Sequence, residues 1–144
     1  MDETIYRELK GDLIRYATIL VGPSDAEDVL STVIARLYRS RRTLSDLESP
    51  RPYLMKGVFN EAMDRRRQKR MLPLVDQAIE PAAARPDVFN AVVDLPLQQR
   101  SAIYLSYWVG MNSDEAARHM GCRPATVRRY LHLAKRKLEG TLDE

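Results

Sequence analysis

A chain of 144 residues, 44% hydrophobic and 30% charged, has room for one ordinary domain or two small ones with thin cores. Its net charge of +3 is unevenly spread, with +3 in residues 1–70, −3 in 71–94 and +3 in 95–144, which points to two basic surfaces rather than a uniformly cationic protein. One cysteine excludes an internal disulfide framework, no apolar run is long enough to span a bilayer, and Met1-Asp2-Glu3 lacks the features of a signal peptide, so a cytoplasmic location is expected.

Helical periodicity dominates and no strand-like alternation persists, which predicts an all-α protein. Ile5, Leu9, Leu13, Tyr16, Ala17 and Leu20 trace one face of a first helix ending at Gly22-Pro23. Ser24 and Glu27 have the spacing of a capping box for a second helix, whose apolar stripe is Ala26, Val29, Leu30, Val33, Ile34 and Leu37. Ser40 to Pro52 has no sustained period and is expected to be a loop. Ser49 with Pro50 and Pro52 announces a third helix, with Leu54, Val58, Ala62 and Met63 facing inward and Arg65-Arg66-Arg67 closing it. These three stripes can be buried against one another as a small bundle over residues 1–70. Residues 71–86 hold three prolines and no useful helical stripe, and are expected to form a flexible linker. A second small helical domain then spans 87–144, with a short helix from Asp87 to the break at Leu95-Pro96 and a longer one over Leu97 to Val109.

The run from Met111 to Arg129 has the pattern of a helix-turn-helix. Asn112 and Glu115 stand at capping-box spacing, so a helix is expected to start near Ser113. Gly121 supplies the left-handed residue of a sharp turn. Pro124 suits the first turn of the next helix, where its missing N–H has no partner to lose. Along that helix Val127, Leu131, Ala134 and Leu138 form a packing stripe, while Ala125, Arg128, Arg129, His132 and Arg136 fall largely on another face, suited to a polyanion.

With these residues the chain resembles the extracytoplasmic-function group of bacterial sigma factors. Asp25-Ala26-Glu27-Asp28-Val29 and the stretch from Arg51-Pro52-Tyr53-Leu54 through Asn60 and Asp64 to Arg65-Arg66-Arg67 follow the family's region two. Leu95-Pro96, Gln99-Arg100, Gly110, Gly121 and Thr126-Val127 follow region four. Departures are Ser31 and Thr32 where the family often has Gln and an acidic residue, Tyr53 for a usual Trp, Ala125 for a usual Gly, and Leu133 for a frequent Arg. The resemblance implies a promoter-specificity subunit of RNA polymerase. Asp25, Asp28, Arg36 and Arg39 then become contacts to the polymerase clamp. The loop before the third helix, with Lys56 and Asn60, faces the melted minus-ten element, where an amide that both donates and accepts can distinguish a base edge. Arg65, Arg66 and Arg67 are implied phosphate contacts, which position without specifying. In region four, Arg123, Ala125, Thr126, Arg128, Arg129 and His132 would meet the minus-thirty-five duplex at the N-terminal part of the reading helix, with Lys135 and Arg136 on phosphate. Core RNA polymerase and promoter DNA are the implied partners, and an anti-sigma factor a further one.

No nucleotide-binding loop, serine elbow or paired-carboxylate pocket is legible, so no enzyme and no cofactor is expected. His119 and Cys122 have a spacing that could begin a metal site, but His132 is the sole other histidine, so no metal is expected. Two rival functions remain open from residues alone. One is an autonomous helix-turn-helix regulator binding duplex DNA as a dimer. The other is a helical adaptor for another protein, which predicts a weak salt dependence of DNA binding.

Overall fold

The computed structural model describes residues 2–70 and 91–142. The chain separates into two compact units, Met1–Val75 and Asp76–Glu144. The protein is all-α, with no strand among the described residues.

In the first unit, α1 (Asp2–Val21), α2 (Pro23–Arg39) and α3 (Pro50–Arg70) pack against one another. Leu13, Tyr16, Ala17, Ile19 and Leu20 of α1 are buried together with Ala26, Val29, Leu30, Val33 and Leu37 of α2. The side of α3 that completes this core carries Leu54, Met55, Val58, Phe59 and Ala62. Met63, expected inside, is half-buried, because the packed stripe runs through Met55 and Phe59 instead. Gly57 is a point of close approach of α3 to α2: a β-carbon there would lie 2.7 Å from Val33 Cγ1.

Three local expectations change. Ser24 does not cap α2: the helix starts two residues earlier than such a cap sets, at Pro23, with Gly22 as a cap without side-chain hydrogen bonds. A proline there needs no N–H partner and brings a helical φ, so the hydroxyl cap is dispensable. The expected loop from Ser40 to Pro52 contains a 3-10 turn at Leu44–Asp46, and α3 begins inside it. Thr43 N donates to Asp46 Oδ2 at 2.8 Å, and Leu44 and Leu47 are buried, so local capping and two apolar anchors order a stretch that has no period. Arg65-Arg66-Arg67 does not close the third helix, which continues to Arg70.

In the second unit, residues 91–93 are helical; the expected linker at 71–86 and the start of the helix from Asp87 lie outside the described residues. α4 (Leu97–Tyr104) passes into a π-helical segment at Leu105–Val109, ended by Gly110. The Met111 amide reaches back to the Leu105 carbonyl at 2.9 Å. α5 (Ser113–Met120) and α6 (Pro124–Leu142) follow, and both α4 and α5 pack on α6. Arg100 is 8% exposed, yet its Nε and Nη2 both donate to the Leu95 carbonyl, at 3.2 and 2.8 Å. That buried guanidinium ties α4 to the Leu95-Pro96 break and supplies two donors to the carbonyl just before the proline.

Candidate nucleic-acid and polymerase surfaces

The helix-turn-helix is assembled by the local chemistry its sequence suggests. Asn112 Oδ1 accepts from the Glu115 amide at 2.8 Å, and Glu115 Oε1 accepts from the Asn112 amide at 3.1 Å, closing the reciprocal box at the start of α5. Gly121 ends that helix at φ 70°, in the left-handed region where a β-carbon is strained. The Cys122 amide donates to the Ala117 carbonyl at 3.0 Å, and partial burial pushes its thiol pKa up, which disfavours the reactive thiolate. Val127 and Ala134 are fully buried beneath α6, and Leu131 and Leu138 are half-buried.

The opposite face of α6 is open. Arg123, Ala125, Arg128, Arg129, His132, Lys135 and Arg136 are exposed, and Thr126 is half-exposed beside them. The Arg123 carbonyl accepts from the amides of Thr126 and Val127 at 2.9 and 3.2 Å, so Arg123 stands at the mouth of the helix. No acidic residue lies in the first turn. The unopposed N-terminal dipole and three arginines therefore favour an anion at the same end. Lys135, expected on phosphate, has its Nζ 5.2 Å from the ring centre of Tyr107 on the π segment, an arrangement in which the ammonium caps an aromatic face.

A second basic surface lies on α3, where Lys56, Asn60 and Arg67 are exposed and Arg66 is half-buried. Arg67 Nη2 is 3.6 Å from Asp64 Oδ1, a loose surface pair. Arg65, expected beside them, points elsewhere. Its Nε meets Glu61 Oε2 at 2.7 Å, and its Nη2 meets Asp28 Oδ2 at 2.8 Å and Thr32 Oγ1 at 3.1 Å. Arg36 Nη2 lies 2.8 Å from the other Glu61 oxygen, off the hydrogen-bond direction. Burial acts to lower the Arg65 pKa, but hydrogen bonds to Glu61 and Asp28 outweigh it and hold the group charged. Arg65 thus joins α3 to α2, and Thr32, a departure from the family pattern, accepts one of its bonds.

Of the residues expected to meet polymerase, Asp28 and Arg36 belong to this ion cluster while remaining 72% and 54% exposed. Arg39 is exposed and Asp25 is half-buried on the same helix. Sequence reasoning missed Glu61, 6% exposed and shared by two arginines; its four-residue spacing from Arg65 was the available signal. It also missed the ordering of the segment before α3. Arg41 adopts φ 63°, Arg42 stacks its guanidinium 5.4 Å from the ring centre of Tyr53, and Tyr53 is 43% exposed. Asp2 accepts from Tyr38 Oη at 2.9 Å and from the amides of Leu44 at 2.9 Å and Ser45 at 3.1 Å. Burial acts to raise the Asp2 pKa, but hydrogen bonds from Ser45, Leu44 and Tyr38 prevail and lower it.

Comparison with known proteins bears on both units. The family model described as sigma-70 region 2 matches residues 5–71, and that described as sigma-70, region 4 matches residues 88–138. The chain is 32% identical to the ECF RNA polymerase sigma factor SigL of Mycobacterium tuberculosis, over 97% of this chain and 88% of that protein. It is 31% identical to an RNA polymerase sigma-E factor of Streptomyces coelicolor, over 97% of this chain and 85% of that one. Its fold is similar to the sigma factor RpoE of Bartonella quintana, solved in complex with the anti-sigma factor NepR, with a TM-score of 0.76, 20% identity and coverage of 98% of this chain and 96% of that one. It is likewise similar to CnrH, solved with the cytosolic domain of CnrY, with a TM-score of 0.68, 20% identity and coverage of 99% and 87%.

Proposed function

The chain belongs to the sigma-70 family, as an extracytoplasmic-function sigma factor and promoter-specificity subunit of RNA polymerase, and on that basis we propose how its residues divide the work. Core RNA polymerase and promoter DNA are its partners. In the first unit the face of α2 with Asp25, Asp28, Arg36 and Arg39 docks on polymerase. Lys56 and Asn60 of α3 meet the melted minus-ten element, with Arg66 and Arg67 on its backbone. Arg65 acts through the ion cluster, holding α3 against α2, rather than through phosphate. In the second unit Arg123, Ala125, Thr126, Arg128, Arg129 and His132 meet the minus-thirty-five duplex, and Lys135 and Arg136 flank it.

The observation that carries this reading is the exposed basic face of α6 beside a capped helix-turn-helix, in a chain that holds a second basic helix in a separate unit. A dimeric repressor has no use for that second helix. The protein carries no reaction of its own, because the phosphodiester chemistry is the polymerase's. It works in the cytoplasm, where polymerase and promoters meet; among the described residues no helix is long and apolar enough to cross a membrane. A protein inhibitor that covers the DNA- or polymerase-facing surfaces is a further partner, on the strength of the neighbour solved with an anti-sigma factor.

The test is binding of the purified chain to bacterial core RNA polymerase, followed by transcription from genomic fragments. New start sites that depend on the chain are the expected result. Absence of core binding together with tight binding to palindromic duplexes would overturn the reading.

A further inference from the structure

We propose that Asp2 is a positioning residue for base selection at the melted promoter element, holding the segment between α2 and α3 in the shape that presents its side chains. The inference rests on the reading of that segment as a single-strand contact. One carboxylate in the first turn of α1 takes three donors from two other places in the chain. The Tyr38 phenol comes from the last turn of α2, and the Leu44 and Ser45 amides come from the opening of the 3-10 turn, 42 and 43 residues away in sequence. Those two amides have no partner inside so short a turn, so an anion at that end does what a side-chain cap does for a helix.

The residues between the two attachment points are the ones this anchoring governs. Arg41 sits at φ 63°, a conformation that non-glycine residues keep only where their surroundings determine it. Its amide donates to the Tyr38 carbonyl at 3.0 Å, next to the phenol that Asp2 holds. Arg42 follows, laid over the exposed ring of Tyr53 at the start of α3. Beyond the end of α2 at Arg39, Tyr38, Leu44 and Ser45 thus bracket a four-residue stretch, 40–43, with two arginines in it. Without Asp2, one bracket loses its phenol contact and the other loses both amide contacts. Leu44 stays anchored by burial and Arg39 by its helix, so the change is in the geometry of 40–43 and not in the core or the polymerase-facing side of α2.

The experiment uses holoenzyme assembled from core polymerase and the full chain. A promoter selected by the wild-type holoenzyme is substituted one base at a time through its melted element, and salt-resistant open complexes are counted. Asp2→Ala is expected to shrink the preference for the selected bases by about tenfold, the scale of a lost charge-assisted hydrogen bond, with affinity for core polymerase and for the upstream duplex unchanged. Exchange of the Leu44 and Ser45 amides is expected to accelerate in the free protein. Tyr38→Phe, which removes one of the three donors, is expected to move the preference in the same direction by less. An unchanged base preference in Asp2→Ala overturns the proposal. Parallel Arg42→Ala and Asn60→Ala variants separate the causes: if they alter base preference and Asp2→Ala does not, the positioning role alone is wrong; if none does, the single-strand reading of this surface falls with it.

Discussion

Arg128 and Arg67 are both exposed arginines on basic helices, and their removal is expected to fail in different ways. Arg128 sits in the first turns of α6, where a guanidinium can pair with a guanine edge, and Arg128→Ala is expected to lose about 1–3 kcal/mol of discrimination between promoter sequences. Equal weakening on every sequence, measured by competition binding of holoenzyme, would remove it from base readout. Arg67 is 71% exposed near the end of α3 with only a loose carboxylate beside it. Arg67→Ala is expected to reduce the salt slope of promoter binding by about 1 and to leave sequence preference intact. Glu61 differs from both, since it is buried and serves the fold. Glu61→Ala strips Arg65 of its nearest carboxylate, and the expected loss is about 2–3 kcal/mol in urea unfolding, below the cost of breaking a fully buried pair because Arg65 is 23% exposed and keeps Asp28. Arg36 loses its carboxylate in the same variant, so weaker core binding is expected to accompany the lost stability.

Among the elements, the join of α2 and α3 leaves no room for a β-carbon at Gly57. Alanine at position 57 gains about 1 kcal/mol of helix propensity over glycine, but its β-carbon would meet Val33 at 2.7 Å. Val33 is β-branched and buried, so it has little freedom to turn aside, and overpacking of about 1–3 kcal/mol is expected to win. Gly57→Ala should therefore lower the melting temperature of the first unit; a rise would mean that α3 slides without penalty. That contact was not legible in the sequence, where Gly57 is only an unfavourable residue within a helical pattern. What was legible had local causes. The periodic stripes of α1 and α2, the Asn112–Glu115 box, the left-handed Gly121 and the Pro124 start are each decided within a few residues of chain. The rest depends on partners far away in sequence. Leu44–Asp46 is ordered by its own cap and by Asp2, Arg65 is turned from solvent by groups on α2, and the π segment at Leu105–Val109 replaces the last turns of a helix that the pattern alone extends unchanged. The polar side of the candidate site was thus readable as a set of basic residues, but not which arginine faces outward.

On the scale of the whole molecule, two small units each offer a modest basic face, and neither alone is expected to hold a promoter strongly. Docking both on polymerase would turn the second contact into a local event, and avidity is then expected to exceed either affinity. The isolated chain is expected to bind a full promoter far more weakly than the holoenzyme does; equal affinities in a salt-matched titration would overturn that account. The π segment offers a means of watching one unit by itself. Trp108 is the chain's single tryptophan, 58% exposed and stacked on Tyr104 at 5.9 Å between ring centres. Its emission therefore reports on the C-terminal unit alone, whereas far-ultraviolet dichroism averages over helices of both. Denaturation followed by the two signals is expected to give separate midpoints, and coincident ones would mean that the units melt as a single cooperative body. The same indole, wet in the free chain, marks a surface that can be watched: with 5-hydroxytryptophan at position 108, excited to the red of polymerase's own tryptophans, a change in emission on adding polymerase would show that this side of the unit has been covered.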